Sequence, residues 1–154
     1  MKVLLPAGLL ALGLLSAEHA VACAPVYLVV PPVAGETEDE MLARSRAVEQ
    51  DQYRAQSDSI FIAEVSMERV VEADSVQIFY SPLHLIEGRA LPEQTLVIVD
   101  ARSTCRRAER VGEPIIIFAS LEADDWTIVA RLRPEQVVDP SLRPLIFSAL
   151  HSRR

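Results

Sequence analysis

The sequence lacks the short motifs that mark common catalytic and metal sites. It contains no H-x-x-x-H or C-x-x-C spacing for a metal. It also contains no G-x-S-x-G, P-loop or G-x-G-x-x-G pattern. His84 lies within a predicted strand, His151 lies in the tail, and the acidic pair Asp124-Asp125 sits in a turn-like stretch. We therefore predict a protein that is not an enzyme and that has no cofactor and no metal site of its own.

Lysine is nearly absent, because Lys2 is the only one in the chain. Acidic residues outnumber basic ones by 22 to 15, and the formal net charge is −7. Such a domain would be repelled by phosphate backbones, so we expect no nucleic-acid partner. The exception is a local group of arginines around Cys105, which we interpret as a solvated loop face: Arg102, Arg106, Arg107 and Arg110.

Apolar runs long enough to cross a membrane are also missing. The longest run covers residues 3–15 and would reach roughly 20 Å as a helix, against a hydrocarbon core of roughly 30 Å. Lys2 precedes this run, and the small-x-small pattern Ala20-Val21-Ala22 follows it. This arrangement is typical of a secretory signal peptide. We therefore expect residues 1–22 to be removed between Ala22 and Cys23. Residues 23–154 would then form a single periplasmic or secreted domain with no membrane span.

Only two cysteines occur, Cys23 and Cys105. An even count in an oxidising compartment favours a disulfide. A bacterial lipoprotein signal also ends in small residues followed by a cysteine, but it usually carries leucine where this chain has Ala20. Acylation of Cys23 would leave Cys105 as a free thiol. Two alternatives follow, a disulfide-bonded soluble domain and a membrane-anchored lipoprotein with a structural or accessory role.

A helix and a series of strands are predicted along the mature chain. Thr37 and Glu40 form a capping box, which predicts a helix over residues 38–55. A C-terminal helical segment is expected over residues 134–150, broken by Pro140 and Pro144. Between them, five β-rich runs cover residues 59–67, 75–85, 95–100, 115–119 and 126–132.

The connections between these strands are too short for crossover helices, which excludes a parallel sheet. We therefore predict a mainly β fold with flanking helices, built as a small five-stranded antiparallel barrel over residues 57–132. Its expected core consists of Ile60, Ile62, Val76, Ile78, Leu96, Ile98, Ile116, Phe118 and Ile128.

The order of several short motifs carries a family resemblance. Cys23-Ala24-Pro25 comes first, and residues 57–65 follow as SDSIFIAEV. Residues 85–88 (LIEG), 96–99 (LVIV), 103–105 (STC) and 112–119 (GEPIIIFA) come next. This order resembles the N-terminal domain of the tissue inhibitors of metalloproteinases, the netrin-like variant of the OB-fold, over about residues 23–132. The resemblance implies that the barrel is OB-fold-like.

The resemblance also implies a bond between Cys23 and Cys105 and a role for the mature N-terminus. In that family, the free α-amino group and the carbonyl of the first residue chelate the zinc of a target protease. Cys23 and Ala24 would then make the partner or zinc contact. The family carries C-x-C where this chain has Pro25. We therefore predict a binding module for another exported or envelope protein, with a zinc metalloproteinase as the most specific partner.

Overall fold

The computed structural model describes residues 30–72, 75–101 and 109–152. Two α-helices, five strands and one 3-10 turn make up this part of the chain. In chain order they are α1 Glu38–Ala55, β1 Ser59–Glu72, β2 Ser75–Gly88, β3 Leu96–Ala101, β4 Pro114–Glu122, β5 Asp125–Leu132, the 3-10 turn Pro134–Gln136 and α2 Leu142–His151.

All five strands belong to one antiparallel sheet with the order β3-β2-β1-β4-β5. The first three strands form a meander, and β4 returns to lie on the free side of β1. This is the Greek-key order, in which the fourth strand returns to lie beside the first. The prediction of a mainly β, antiparallel fold with flanking helices is confirmed.

The apolar side chains form two clusters rather than one barrel core. The inner cluster draws on all five strands and includes Phe61, Tyr80, Leu96, Ile117 and Ile128. Because the edge strands β3 and β5 both contribute to it, the sheet curls around this cluster. The other cluster, here called the helix-side cluster, lies between β1, β4 and the C-terminal segment.

The expected core list is therefore divided between these two clusters. Side chains alternate along a strand, so neighbouring apolar residues face opposite sides of the sheet. Four of the nine predicted positions belong to the helix-side cluster, namely Ile60, Ile62, Ile116 and Phe118. The other five belong to the inner cluster: Val76, Ile78, Leu96, Ile98 and Ile128.

Both helices cover the outer face of the sheet. Helix α1 begins at the predicted capping box, in which Glu40 N–H and the Thr37 side chain are paired. Its Tyr53 ring lies 6.0 Å from that of Phe118. Helix α2 buries Leu142 and Ile146 against the same cluster. No helix in the described ranges is long and apolar enough to cross a membrane.

The prediction that Pro144 breaks the C-terminal helix is wrong. Pro144 is the third residue of α2, which starts at Leu142 and continues to His151. The first four N–H groups of a helix have no acceptor within it, so proline loses nothing there. Pro140 lies before the helix, where its ring is equally harmless.

Asp139, in the segment before α2, is hydrogen-bonded to Arg54 of α1. Its carboxylate accepts hydrogen bonds from Arg54 Nη1 at 2.8 Å, from Ser141 N at 2.8 Å and from Ser141 Oγ at 2.7 Å. Burial raises the pKa of Asp139, but the hydrogen bonds from Ser141 and the charge of Arg54 outweigh it, and the pKa is lowered. The same arginine also pairs with Glu87 of β2 at 2.6 Å, so one side chain joins α1, the sheet and the segment before α2.

Candidate functional site

The residues that the resemblance singles out lie outside the described ranges. They are Cys23, Ala24, the cleavage residue Ala22 and the second cysteine, Cys105. The structure does describe the two ends of the loop that carries Cys105. The chain leaves β3 at Ala101 and is described again from residue 109. Three of the clustered arginines fall within this loop and so also lie outside the described ranges.

One buried arginine, Arg131 of β5, contacts both ends of this loop. Its Nη2 donates to Asp100 Oδ2 at 2.8 Å, just before the loop. Its Nη1 lies 3.6 Å from Glu109 Oε1, just after the loop. The Arg131 side chain is 11% exposed and that of Glu109 is 6% exposed. Water therefore screens these contacts only weakly, so they hold the two ends of the loop against β5.

Tyr80 completes this cluster from β2. Its hydroxyl donates to the Glu109 carboxylate and accepts a hydrogen bond from Arg131 Nη1 at 2.5 Å. The guanidinium carbon of Arg131 is 5.7 Å from the centre of the Tyr80 ring. Burial raises the pKa of Tyr80, and its hydrogen bond to Glu109 raises it further. The phenol is therefore neutral at any ordinary pH.

Arg131 keeps its charge although it is buried. Burial lowers the pKa of Arg131, but the hydrogen bonds to Asp100 and Tyr80 outweigh this effect and raise it. Every buried side-chain nitrogen or oxygen in the described part of the chain has a hydrogen-bond partner. The cluster of Tyr80, Asp100, Glu109 and Arg131, here called the loop clamp, thus has its polar groups engaged with one another, and its chemistry is that of a positioning device.

The segment that leads from the predicted mature N-terminus is fixed at its far end. Val30 is buried, and the carbonyl of Pro31 accepts a hydrogen bond from Arg44 Nη2 at 2.8 Å. Arg44 also holds the Glu36 carboxylate through two contacts of 2.7 and 2.8 Å. These hydrogen bonds lower the pKa of Glu36. Cys23 is seven positions before Val30 in the sequence, and a chain of that length spans at most about 25 Å.

The two histidines within the described ranges, His84 and His151, are not part of the loop clamp. His84 is exposed on β2, beside a pocket of about 190 Å³ between β2 and α2. His151 Nδ1 lies 2.7 Å from the carbonyl of Phe147 at the end of α2. No group of three histidine, cysteine or carboxylate side chains that could hold a metal occurs in the described ranges.

Sequence reasoning missed the loop clamp, although one signal for it was present. Tyr80 alternates in phase with Val76 and Ile78, which predicts that its ring enters the core. A phenol in an apolar core needs a polar partner, so a buried charged residue could have been sought. The identity of that partner could not be predicted, because it depends on a bulge in β5.

Comparisons with known proteins give no match. No family model fits the chain, and no curated protein and no solved structure resembles it significantly.

Proposed function

We propose that this chain is an exported, non-enzymatic protein-binding module of the netrin-like OB type, which acts through its mature N-terminus. The observation that supports the proposal most directly is the loop clamp, since Arg131 holds both ends of the loop that carries Cys105. A Cys23–Cys105 disulfide would join the N-terminus to a loop whose base is already fixed. Such pre-ordering reduces the entropy lost on binding.

The most specific form of the proposal is inhibition of a zinc metalloproteinase. The α-amino group of Cys23 has an ordinary pKa of about 8 and can lose its proton beside Zn²⁺. The carbonyl of the same residue would complete the chelate, and Ala24, whose side chain is a single methyl group, would enter the cleft of the protease. This chemistry requires the amine to stand at one fixed position, which the disulfide would supply.

An alanine added before Cys23 tests this form. The extension moves the α-amine by up to about 3.3–3.6 Å of chain, whereas zinc–nitrogen bonds near 2.0–2.1 Å do not tolerate such a shift. We expect the native protein to inhibit a zinc protease from its own compartment and the extended protein not to inhibit it. The matched control carries the alanine after Arg154 and should inhibit as the native protein does. Equal inhibition by both forms, or none by either, would contradict the inhibitor form.

The chemical state of the N-terminus and of the two cysteines tests the broader proposal of an exported binding module. Mass spectrometry of the exported protein should find an unmodified N-terminus at Cys23, and thiol labelling without reductant should find no free cysteine. A diacylglycerol mass on Cys23, together with a free thiol at Cys105, would contradict the disulfide. It would instead support the alternative, a membrane-anchored lipoprotein with a structural or accessory role.

A further inference from the structure

A cleft of about 510 Å³ opens beside the start of β1, and none of the residues that line it belongs to the loop clamp. It lies between the β2–β3 connection, with Leu91 and Glu93, and the β4–β5 hairpin, with Leu121, Asp124 and Trp126. The strand register gives this position, because Gly88 and Ala119, which precede the two lining segments, both pair with the first residue of β1. This volume is within the range of known small-molecule and side-chain binding sites.

Trp126 is the aromatic side chain that lines this cleft. It is the only tryptophan of the chain, and it is half-buried, with its ring packed edge-on against Phe61 at 6.4 Å. Within the described residues its indole N–H has no hydrogen-bond partner, whereas every buried side-chain nitrogen or oxygen there has one. The N–H is therefore open to solvent, and the exposed part of the ring is available for stacking.

The charge of the cleft is negative. Glu93 and Asp124 are both exposed and face it from its two sides, and no basic side chain is among the described residues that line it. Asp124 is held in position by a two-residue hairpin turn in which Ala123 and Asp124 have φ of 46° and 74°. Positive φ at both central residues is the geometry of the tight hairpin turn that matches strand twist.

An aromatic face flanked by two carboxylates is complementary to an arginine or lysine side chain. The cation can lie over the indole while the carboxylates accept its hydrogen bonds. The net charge of −7 also favours the approach of a positively charged segment. We propose that this cleft binds an arginine or lysine side chain in a basic segment of a partner protein. The inference rests on the proposed protein-binding function, but it uses other residues than Cys23, Cys105 and the loop clamp.

Because Trp126 is the only tryptophan, its fluorescence reports directly on the cleft. The probe is a hexa-arginine peptide, titrated into the purified protein at low salt, and the control peptide contains the uncharged analogue citrulline. We expect a saturable change in tryptophan emission with the arginine peptide, weakening as salt is added, and none with the citrulline peptide. A neutral oligosaccharide serves as a third probe, and a response to it alone would overturn the proposal in favour of a sugar site.

Two double variants distinguish binding at the cleft from general attraction to the negative charge of the protein. The variant Glu93→Gln/Asp124→Asn should weaken binding of the arginine peptide about five- to tenfold. Asparagine tolerates the positive φ at position 124, so the turn is kept. The control Glu38→Gln/Glu135→Gln removes the same charge from exposed positions elsewhere and should change binding less than about twofold. An equal loss in both variants, or an unchanged affinity in the first, would overturn the proposal.

The alanine extension before Cys23 distinguishes this inference from the proposed function. The extended protein should bind the arginine peptide as the native protein does, because the extension changes none of the residues that line the cleft. Failure of peptide binding alongside intact protease inhibition would reject the cleft and leave the proposed function in place. Intact peptide binding without inhibition would reject the inhibitor form and leave the cleft in place.

Discussion

Replacing Gly88 with alanine is expected to destabilise the fold at the point where β2 ends and the chain turns towards the cleft. Gly88 has a φ of +111°, which side chains rarely adopt. An added Cβ would lie 2.2 Å from the carbonyl oxygen of Asp58 and 2.6 Å from Ser59 Cα. These backbone atoms cannot easily move, because the Asp58 N–H is bonded to the carbonyl of Ala119 at 2.9 Å.

The expected loss of stability in Gly88→Ala is the sum of two separate free-energy costs. A non-glycine residue at strongly positive φ costs about 1–2 kcal/mol, and forcing an extra carbon into a filled space costs about 1–3 kcal/mol. Gly88→Ala should therefore lower the free energy of unfolding by about 2–5 kcal/mol, a large part of the roughly 5–15 kcal/mol of a typical domain. Gly112 isolates the first cost, since its φ is +83° and no atom lies within 4 Å of an added Cβ.

Urea denaturation of the native protein, Gly88→Ala and Gly112→Ala, followed by circular dichroism, measures both costs. We expect Gly112→Ala to lose about 1–2 kcal/mol and Gly88→Ala to lose about 1–3 kcal/mol more, with the denaturant slope unchanged. If the two variants differ by less than about 0.5 kcal/mol, the contact with the Asp58–Ser59 backbone is not rigid and the reasoning fails.

Three further predictions concern the core, the loop clamp and the response to acid. Ile116→Ala should cost about 2–5 kcal/mol in urea denaturation because Ile116 is fully buried, whereas Val99→Ala, at a position 67% exposed, should stay within about 0.5 kcal/mol. Arg131→Met should cost about 3–5 kcal/mol because it removes the weakly exposed positive charge that faces the carboxylates of Asp100 and Glu109; the exposed Arg143→Met is the control, and an equal cost there would refute the clamp. Because the pKa of Asp139 is lowered below 3.8 in the fold, its ionised form stabilises the protein above about pH 4 and this contribution is lost as the pH falls further. Asp139→Asn should therefore be less stable at pH 7 and approach the native protein near pH 3, and a gap of constant size would contradict this.

The strands and their antiparallel pairing could be predicted from local patterns. The capping box at Thr37 marks the start of α1, and short turns between β-rich runs exclude crossover connections. The turn predicted around Asp124-Asp125 is present as a hairpin, with Glu122 and Asp125 paired across it. Such features depend on neighbours in the sequence, so composition and spacing are sufficient to find them.

The loop clamp could not be predicted, because it depends on a change of phase within β5. From Ala119 paired with Ile128, the register moves to Phe118 paired with Ala130. The extra residue, Val129, is a bulge that shifts every later side chain to the other face. Strict alternation from Trp126 would point Arg131 outwards, and the bulge points it into the inner cluster instead. Nothing in the local sequence marks this position.

The side of β1 that the helices cover could not be predicted from the sequence either. The run at residues 60–63 is apolar on both sides, but which set faces the helices depends on where α1 and α2 pack. Gln50 shows the difficulty, because it is polar yet buried, and its side chain bonds the carbonyl of Gln136 at 2.8 Å and the N–H of Val138 at 2.8 Å. A hydrophobic stripe alone could not have assigned this position to an interface.

The Greek-key order implies a sequence of folding events. The contacts of β1 with β2 and of β2 with β3 join residues that are close in the sequence. Ile60 instead pairs with Phe118, which is 58 positions later in the chain. Closing the larger loop costs more chain entropy, so the meander should form before β4 docks. Until β4 docks, the edge of β1 at Ile60 and Ile62 has unpaired backbone N–H and carbonyl groups. Such an exposed edge can pair with a strand of another molecule. During synthesis, the interval between the appearance of β1 and that of β4 is therefore when this chain is most prone to pair with other copies of itself.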